Sequence, residues 1–230
     1  MKKVLLYCLA ILVFIVSLFT LPFFFSAPES AQNNLGLPWQ IERNEAGQTR
    51  VFGLSPGVST LKDAIALFGE DRELAIMVGA NVPTGEEAKD AALEVYFSQV
   101  TLGFVQAKLV LTLDAPPPMI AEMLARSVKK EYMGNGSRKY SLHSDDAARA
   151  ATLPLTAFTL IPNARLNGET VTQRFGAPAA ILPVGETLQH YLYPDKGLDI
   201  ALDSKGKSVL QYVAPADFEQ RIMRPLRAGA

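Results

Sequence analysis

"LNGETVTQRFGAP", residues 166–178, has an earlier counterpart in "STLKDAIALFGE", residues 59–70. In both, a capping residue leads into a short amphipathic run that stops at Phe-Gly. Ser59 or Thr60 in one, and Asn167 in the other, offers a side-chain oxygen to the free N–H groups of a first helical turn. Leu61, Ala64, Ile65 and Phe68 fall on one helix face. Gly69 and Gly176 end the two helices, because glycine accepts the left-handed conformation.

The flanks of these helices also match. "VFGLSPG" from Val51 aligns with "AFTLIPN" from Ala157, pairing Phe52 with Phe158, Leu54 with Leu160 and Pro56 with Pro162. Internal similarity of this kind points to a duplicated unit. In the first unit, residues 39–42 and 49–54 flank the turn "RNEAGQ" as a hairpin. "RELAIMV", "ALEVYFSQ" and "FVQAKLVLTLD" read as strands, and residues 79–90 as a polar loop. In the second, "ETLQHYLYPDKGLDIALDSKGKSVLQYV" predicts three strands joined by the glycine turns "YPDKG" and "DSKGK". Between the units, residues 119–132 predict a helix with Ile120, Met123, Leu124 and Val128 on one side. "SDDAARAA" predicts one or two further turns, with Ser144 as cap and acids at the positive end. Phe218 and Ile222 predict a last short helix over residues 215–226.

The chain opens "MKKVLLYCLAILVFIVSLFTLPFFFSAPES". Lys2 and Lys3 precede an uncharged, mostly apolar run over residues 4–25. As a helix it would span roughly 33 Å at about 1.5 Å per residue, enough for a hydrocarbon core of about 30 Å. Cleavage after Ala27 or Ala31 would put Phe25 or Glu29 where a signal peptidase needs a small residue. The run therefore predicts an uncleaved transmembrane signal anchor. Its flanking lysines place the N-terminus in the cytoplasm and the bulk of the chain in the periplasm, a single-pass inner-membrane arrangement. Cys8, the only cysteine, lies in this run, which excludes a disulfide framework, a thiolate metal site and a redox pair. It reads as a buried thiol and not a lipidation site, since Tyr7 stands where a small residue is needed.

The expected architecture is thus α+β. An N-terminal transmembrane helix (1–25) and a linker (26–37) lead into two tandem small domains (38–114 and 154–230), joined by a helical connector (115–153). Each domain is a short helix packed on an antiparallel sheet of about three strands.

"NGETVTQRFGAP", followed by "HYLYP" and "LDIALDSKGKSVLQYV", resembles the small α+β domain of the outer-membrane assembly lipoprotein BamE and its SmpA/OmlA-like relatives. The resemblance covers residues 166–213 and, more loosely, 54–113. It implies a small non-catalytic envelope domain that binds other proteins. The chain departs from that family in lacking a lipobox and a proline after the first Phe-Gly.

Residues that carry chemistry are sparse. His143 lies beside Asp145 and Asp146 at what reads as a helix start, where acids cap without chemistry. His190 reads as a packed or surface strand residue. Asp199 and Asp203 alternate on one strand and read as a solvated edge. Gly134 and Gly136 sit in a flexible turn, not in a phosphate loop, since the Walker spacing is absent. No catalytic, metal or cofactor residues are expected, and no enzyme activity. A net charge of −1 argues against a nucleic-acid partner.

Tyr191 and Tyr193 share a strand face that is either an exposed patch or part of the core. Together with Trp39, the only tryptophan, they are the candidate partner-binding residues. Arg221, Arg224 and Arg227 read as a solvated helix face. The expected partners are the inner membrane, through residues 4–25, and another envelope protein. The function read from these features is a membrane-anchored periplasmic protein-interaction or assembly module. The alternative is a module binding a small ligand, lipid or wall fragment in the cleft between the units.

Overall fold

Both expected helices form, and their ends are nearly superimposable in backbone geometry. The computed structural model describes residues 35–206 and 208–228. The described chain begins with β1 (Glu42–Arg43), β2 (Thr49–Arg50), α1 (Leu61–Phe68), β3 (Glu73–Val78), β4 (Ala91–Leu102) and β5 (Val105–Leu113). It continues with α2 (Pro117–Ala125), β6 (Lys129–Tyr132), β7 (Arg138–Ser141), α3 (Ser144–Ala150), β8 (Leu155–Pro162) and α4 (Gly168–Phe175). β9 (Ala180–Val184), β10 (Leu188–Tyr193), β11 (Leu198–Asp203) and β12 (Ser208–Val213) follow. The tail is a 3-10 turn (Pro215–Asp217), a π-helical turn (Glu219–Met223) and α5 (Arg224–Ala228).

At α1, the Thr60 side chain accepts the Asp63 N–H, and the Asp63 carboxylate accepts the Thr60 N–H at 2.8 Å. This reciprocal capping box satisfies donors that a helix start leaves free. At α4, Asn167 accepts the Thr170 N–H at 2.8 Å. Gly69 (φ 90°, ψ −174°) and Gly176 (φ 86°, ψ −175°) close the two helices in a conformation open to glycine and strained for other residues.

The strands do not separate into two small sheets. One ten-stranded antiparallel sheet runs in the order β6-β7-β3-β4-β5-β8-β12-β11-β10-β9, beside a minimal β1-β2 hairpin. This corrects the expectation of tandem domains, each with its own helix on about three strands. The physical reason lies at β8, which pairs with β5 on one side and with β12 on the other. Hydrogen-bonded pairing therefore runs through the join where an inter-unit cleft was expected, with one register shift between Thr112 and Leu113.

Four strands escaped the sequence reading: β6, β7, β9 and β8 itself, whose residues were read only as the flank of the second repeat. Residues 129–132, taken as the end of a helix, are β6. They turn back through "MGNGS" into β7, with Gly136 at φ 82°. β9 follows the second glycine stop directly and carries Pro183.

The transmembrane helix, signal anchor and single-pass inner-membrane expectations fall on residues 4–25, outside the described residues. Among the described residues no helix is long and apolar enough to cross a membrane. Those expectations are corrected accordingly.

Register explains the core. One row of opposed residues runs Phe97, Leu109, Leu160, Leu210, Ile200, Tyr191, and the next runs Val95, Leu111, Phe158, Tyr212, Leu198, Tyr193. All are buried. Because side chains alternate along a strand, these rows form one continuous apolar face. Val51, Phe52 and Leu54, with the buried faces of α1, α2 and α4, pack in the same core.

The opposite face is covered unevenly. Over β8, β10 and β12, Phe218 and Ile222 of the tail pack on Ala157, Leu192 and Val213. On the β3–β5 side, Glu94 opposes Ala75 and Thr112. Its half-buried carboxyl is desolvated, which raises its pKa above the ordinary glutamate value.

Phe158→Ala is expected to cost about 3–5 kcal/mol. Trp39 fluorescence and far-UV circular dichroism should report one coincident urea transition, because β8 belongs to both halves of the sheet. A raised carboxyl pKa supports folding below the unfolded-state value, and that support is lost as pH rises through the folded value. Glu94→Gln should therefore raise the urea midpoint at neutral pH and leave it unchanged in acid.

Candidate interaction surface

Trp39 lies at a corner where three separate segments meet. The strap before β1 is pinned by the buried Tyr212 hydroxyl, which donates to the Pro38 carbonyl oxygen at 2.9 Å. Burial pushes the Tyr212 hydroxyl well above its ordinary pKa, so it stays a donor. Leu37 packs over Gly103, where an added Cβ would come within 2.9 Å of the leucine side chain. Gly103 also takes φ 60° in the β4–β5 turn. The strap thus needs glycine there twice, for space and for backbone conformation.

That turn presents Phe104, which is 73% exposed. Its ring centroid lies 6.0 Å from that of Trp39. On the other side, Trp39 meets Phe175 of α4 edge-on at 6.1 Å. The Arg174 guanidinium lies 5.0 Å over the Trp39 ring, in cation–π range. Arg174 has no carboxylate partner among the described residues. The corner therefore offers an exposed aromatic ring, a half-buried indole and a guanidinium with its charge open to a partner.

Of the three residues expected to bind a partner, the structure keeps only Trp39 at the surface. Tyr191 and Tyr193 are 9% and 4% exposed, because they end the two core-facing rows. The Tyr193 hydroxyl donates to the Gly176 carbonyl at 2.9 Å, and Tyr191 lies against Gly168. They hold α4 on the sheet. Phe104 and Arg174 were missed. The signal for Phe104 was a large apolar residue directly after a turn glycine. Nothing in a single sequence brings Arg174 to Trp39.

The histidines and acids also fall differently. His190 and Asp199 are buried on neighbouring strands, on the sheet face that the tail covers. His190 Nδ1 donates to Asp199 Oδ2 at 2.7 Å. Asp199 is thus a buried partner, not a solvated edge, and its Oδ1 has no hydrogen bond among the described residues. Such a pair orients an imidazole as a catalytic base is oriented, but no hydroxyl or thiol among the described residues hydrogen-bonds to His190.

His143 is itself the cap of α3, accepting the Asp145 N–H on Nδ1 at 3.3 Å, in the place expected of Ser144. Asp146 is fully buried beneath Arg126 and Arg149, and the Arg126–Asp146 and Arg149–Glu122 pairs tie α3 to α2 and its C-terminal end. In the tail, Arg227 pairs with Glu219 at 2.6 Å and Arg221 with Asp217 at 3.8 Å. No group of three or more His, Cys, Asp or Glu able to hold a metal occurs among the described residues. A surface depression of about 530 Å³ lies at the start of α4, lined by Arg165, Asn167, Gln189 and Asp203 among others.

Removing one member of a buried hydrogen-bonded pair strands the other, while replacing both with apolar groups removes the demand. His190→Leu should cost about 3 kcal/mol in urea unfolding, whereas His190→Leu with Asp199→Leu should return to within about 1 kcal/mol of the parent. No protein-family model, curated protein or solved structure matches the chain.

Proposed function

We propose that the chain is a non-catalytic protein-interaction or assembly module, the cell-envelope role implied by its likeness to the small BamE domain. The observation that carries this reading is the Trp39 corner. Phe104 is exposed beside an indole, and Arg174 is stacked on that indole without a carboxylate partner among the described residues. Aromatic residues and arginine are the side chains that dominate binding energy in protein interfaces. A partner segment bringing an apolar side chain to Phe104 and an acid to Arg174 satisfies both groups. Rigid placement favours the same reading, because Trp39 is held by the strap, the β4–β5 turn and α4 together. An interface built on fixed side chains loses less conformational freedom on binding.

Phe104 and Arg174 lie outside the core, so the test avoids unfolding. Phe104→Ser and Arg174→Glu should each leave the melting temperature unchanged. Each should weaken capture of the specific partner by about tenfold or more in quantitative pull-downs. If both variants recover the same proteins at the same yield as the parent, this surface is not the interface.

A further inference from the structure

The sheet ends on one side at β6, whose outer edge pairs with no strand among the described residues. Three of the six exposed large hydrophobic side chains among the described residues gather there: Val128, Tyr132 and Met133. The other end, β9, contains Pro183, which brings no N–H to an added strand. β6 has no proline. Met133 donates its N–H to Ser137 across the hairpin at 2.8 Å. By strand alternation Lys129 and Glu131 also turn their backbone groups toward β7, and Lys130 and Tyr132 turn theirs outward.

From this edge we infer that the chain self-associates, with β6 pairing antiparallel to β6 of a second copy. A twofold axis normal to the sheet makes one residue face itself, and the pattern around it decides the register. With Lys130 on the axis, Lys129 faces the second copy's Glu131, and the Val128 side chain lies beside the second copy's Tyr132 while the Val128 N–H stays bonded to the Ser141 carbonyl of β7 at 3.0 Å. Symmetry repeats both contacts. The ion pairs fall at the closely spaced, non-hydrogen-bonded positions, where side chains approach best. They also extend a ladder that already alternates in sign within one chain. Glu131 pairs with Lys139 at 3.1 Å and with Lys129 at 2.9 Å, and Lys139 pairs with Glu73 at 2.7 Å. A register centred on Glu131 would instead face acid with acid and leave Lys129 against Met133.

The opposing cost is Lys130 facing its own copy, since like charges directly opposite destabilise a pair. Each Lys130 ammonium is drawn over its own tyrosines, 5.2 Å from the Tyr132 ring and 5.3 Å from the Tyr140 ring. A contact this short, with that repulsion at its centre, gives a weak and reversible dimer. It uses none of the Trp39 corner, so partner capture and self-association stand or fall separately.

The test is sedimentation equilibrium of the full-length chain over a concentration series, in mild detergent because residues 4–25 are apolar. The parent should dimerise with a dissociation constant in about the micromolar range. Lys129→Glu should weaken the dimer about tenfold, and the exchange Lys129→Glu with Glu131→Lys should restore it. Lys130→Thr should tighten it by removing the like-charge contact. A monomer at every concentration, a dimer indifferent to charge reversal, or a reversal that the exchange does not rescue overturns the inference.

Discussion

β8 is hydrogen-bonded on both sides, and the rest of the architecture depends on that. Because β5 and β12 share it, the two helix-and-strand units lose their separate edges and become one sheet. The apolar rows then cross the join without interruption: Leu109 meets Leu160 and Leu160 meets Leu210. Once those rows are fixed, the strap, α1, α2 and α4 have a single surface to cover. The position of Trp39 follows from this, since α4 can place Phe175 beneath it only when docked on that surface.

Much of the local structure was legible in the chain. Thr60, Asn167, Gly69 and Gly176 encode their helices through caps and stops that need no distant partner. β3, β4 and β5 announce themselves by alternation. The missed elements are those in which local signals compete. Residues 128–132 follow a real helix and carry lysines that favour either state, and only Asn135-Gly136 marks the hairpin. The larger error was one of association. Motifs repeated along a chain say that a unit recurs. They do not say whether its outermost strand is left free or joined to the next unit.

The surface was half legible for the same reason. Trp39 could be picked out because tryptophan is rare in this chain. Tyr191 and Tyr193 could not be assigned to core or surface from alternation alone. The face they occupy is decided by the pairing of β10 with β11, and that of β11 with β12. Arg174 was silent because it is one of several exposed bases until α4 sets it over the indole. The buried His190–Asp199 pair was silent too. Asp199 looks like a solvated strand position, and His190 like a packed or surface one, until the tail folds over them.

The Tyr212 hydroxyl bonded to the Pro38 carbonyl joins nearly the first described residues to the last strand. A fold with such distant contacts assembles slowly, since much of the chain must be closed into loops before they form. During synthesis β8 finds β5 behind it, but its other edge stays bare until β12 has emerged. At about 5–20 residues per second that interval is on the order of seconds. Throughout it the nascent chain carries an apolar, unpaired strand, the feature most prone to capture by another chain. The final residues, from β12 through the tail, therefore determine how long the emerging protein remains vulnerable to aggregation.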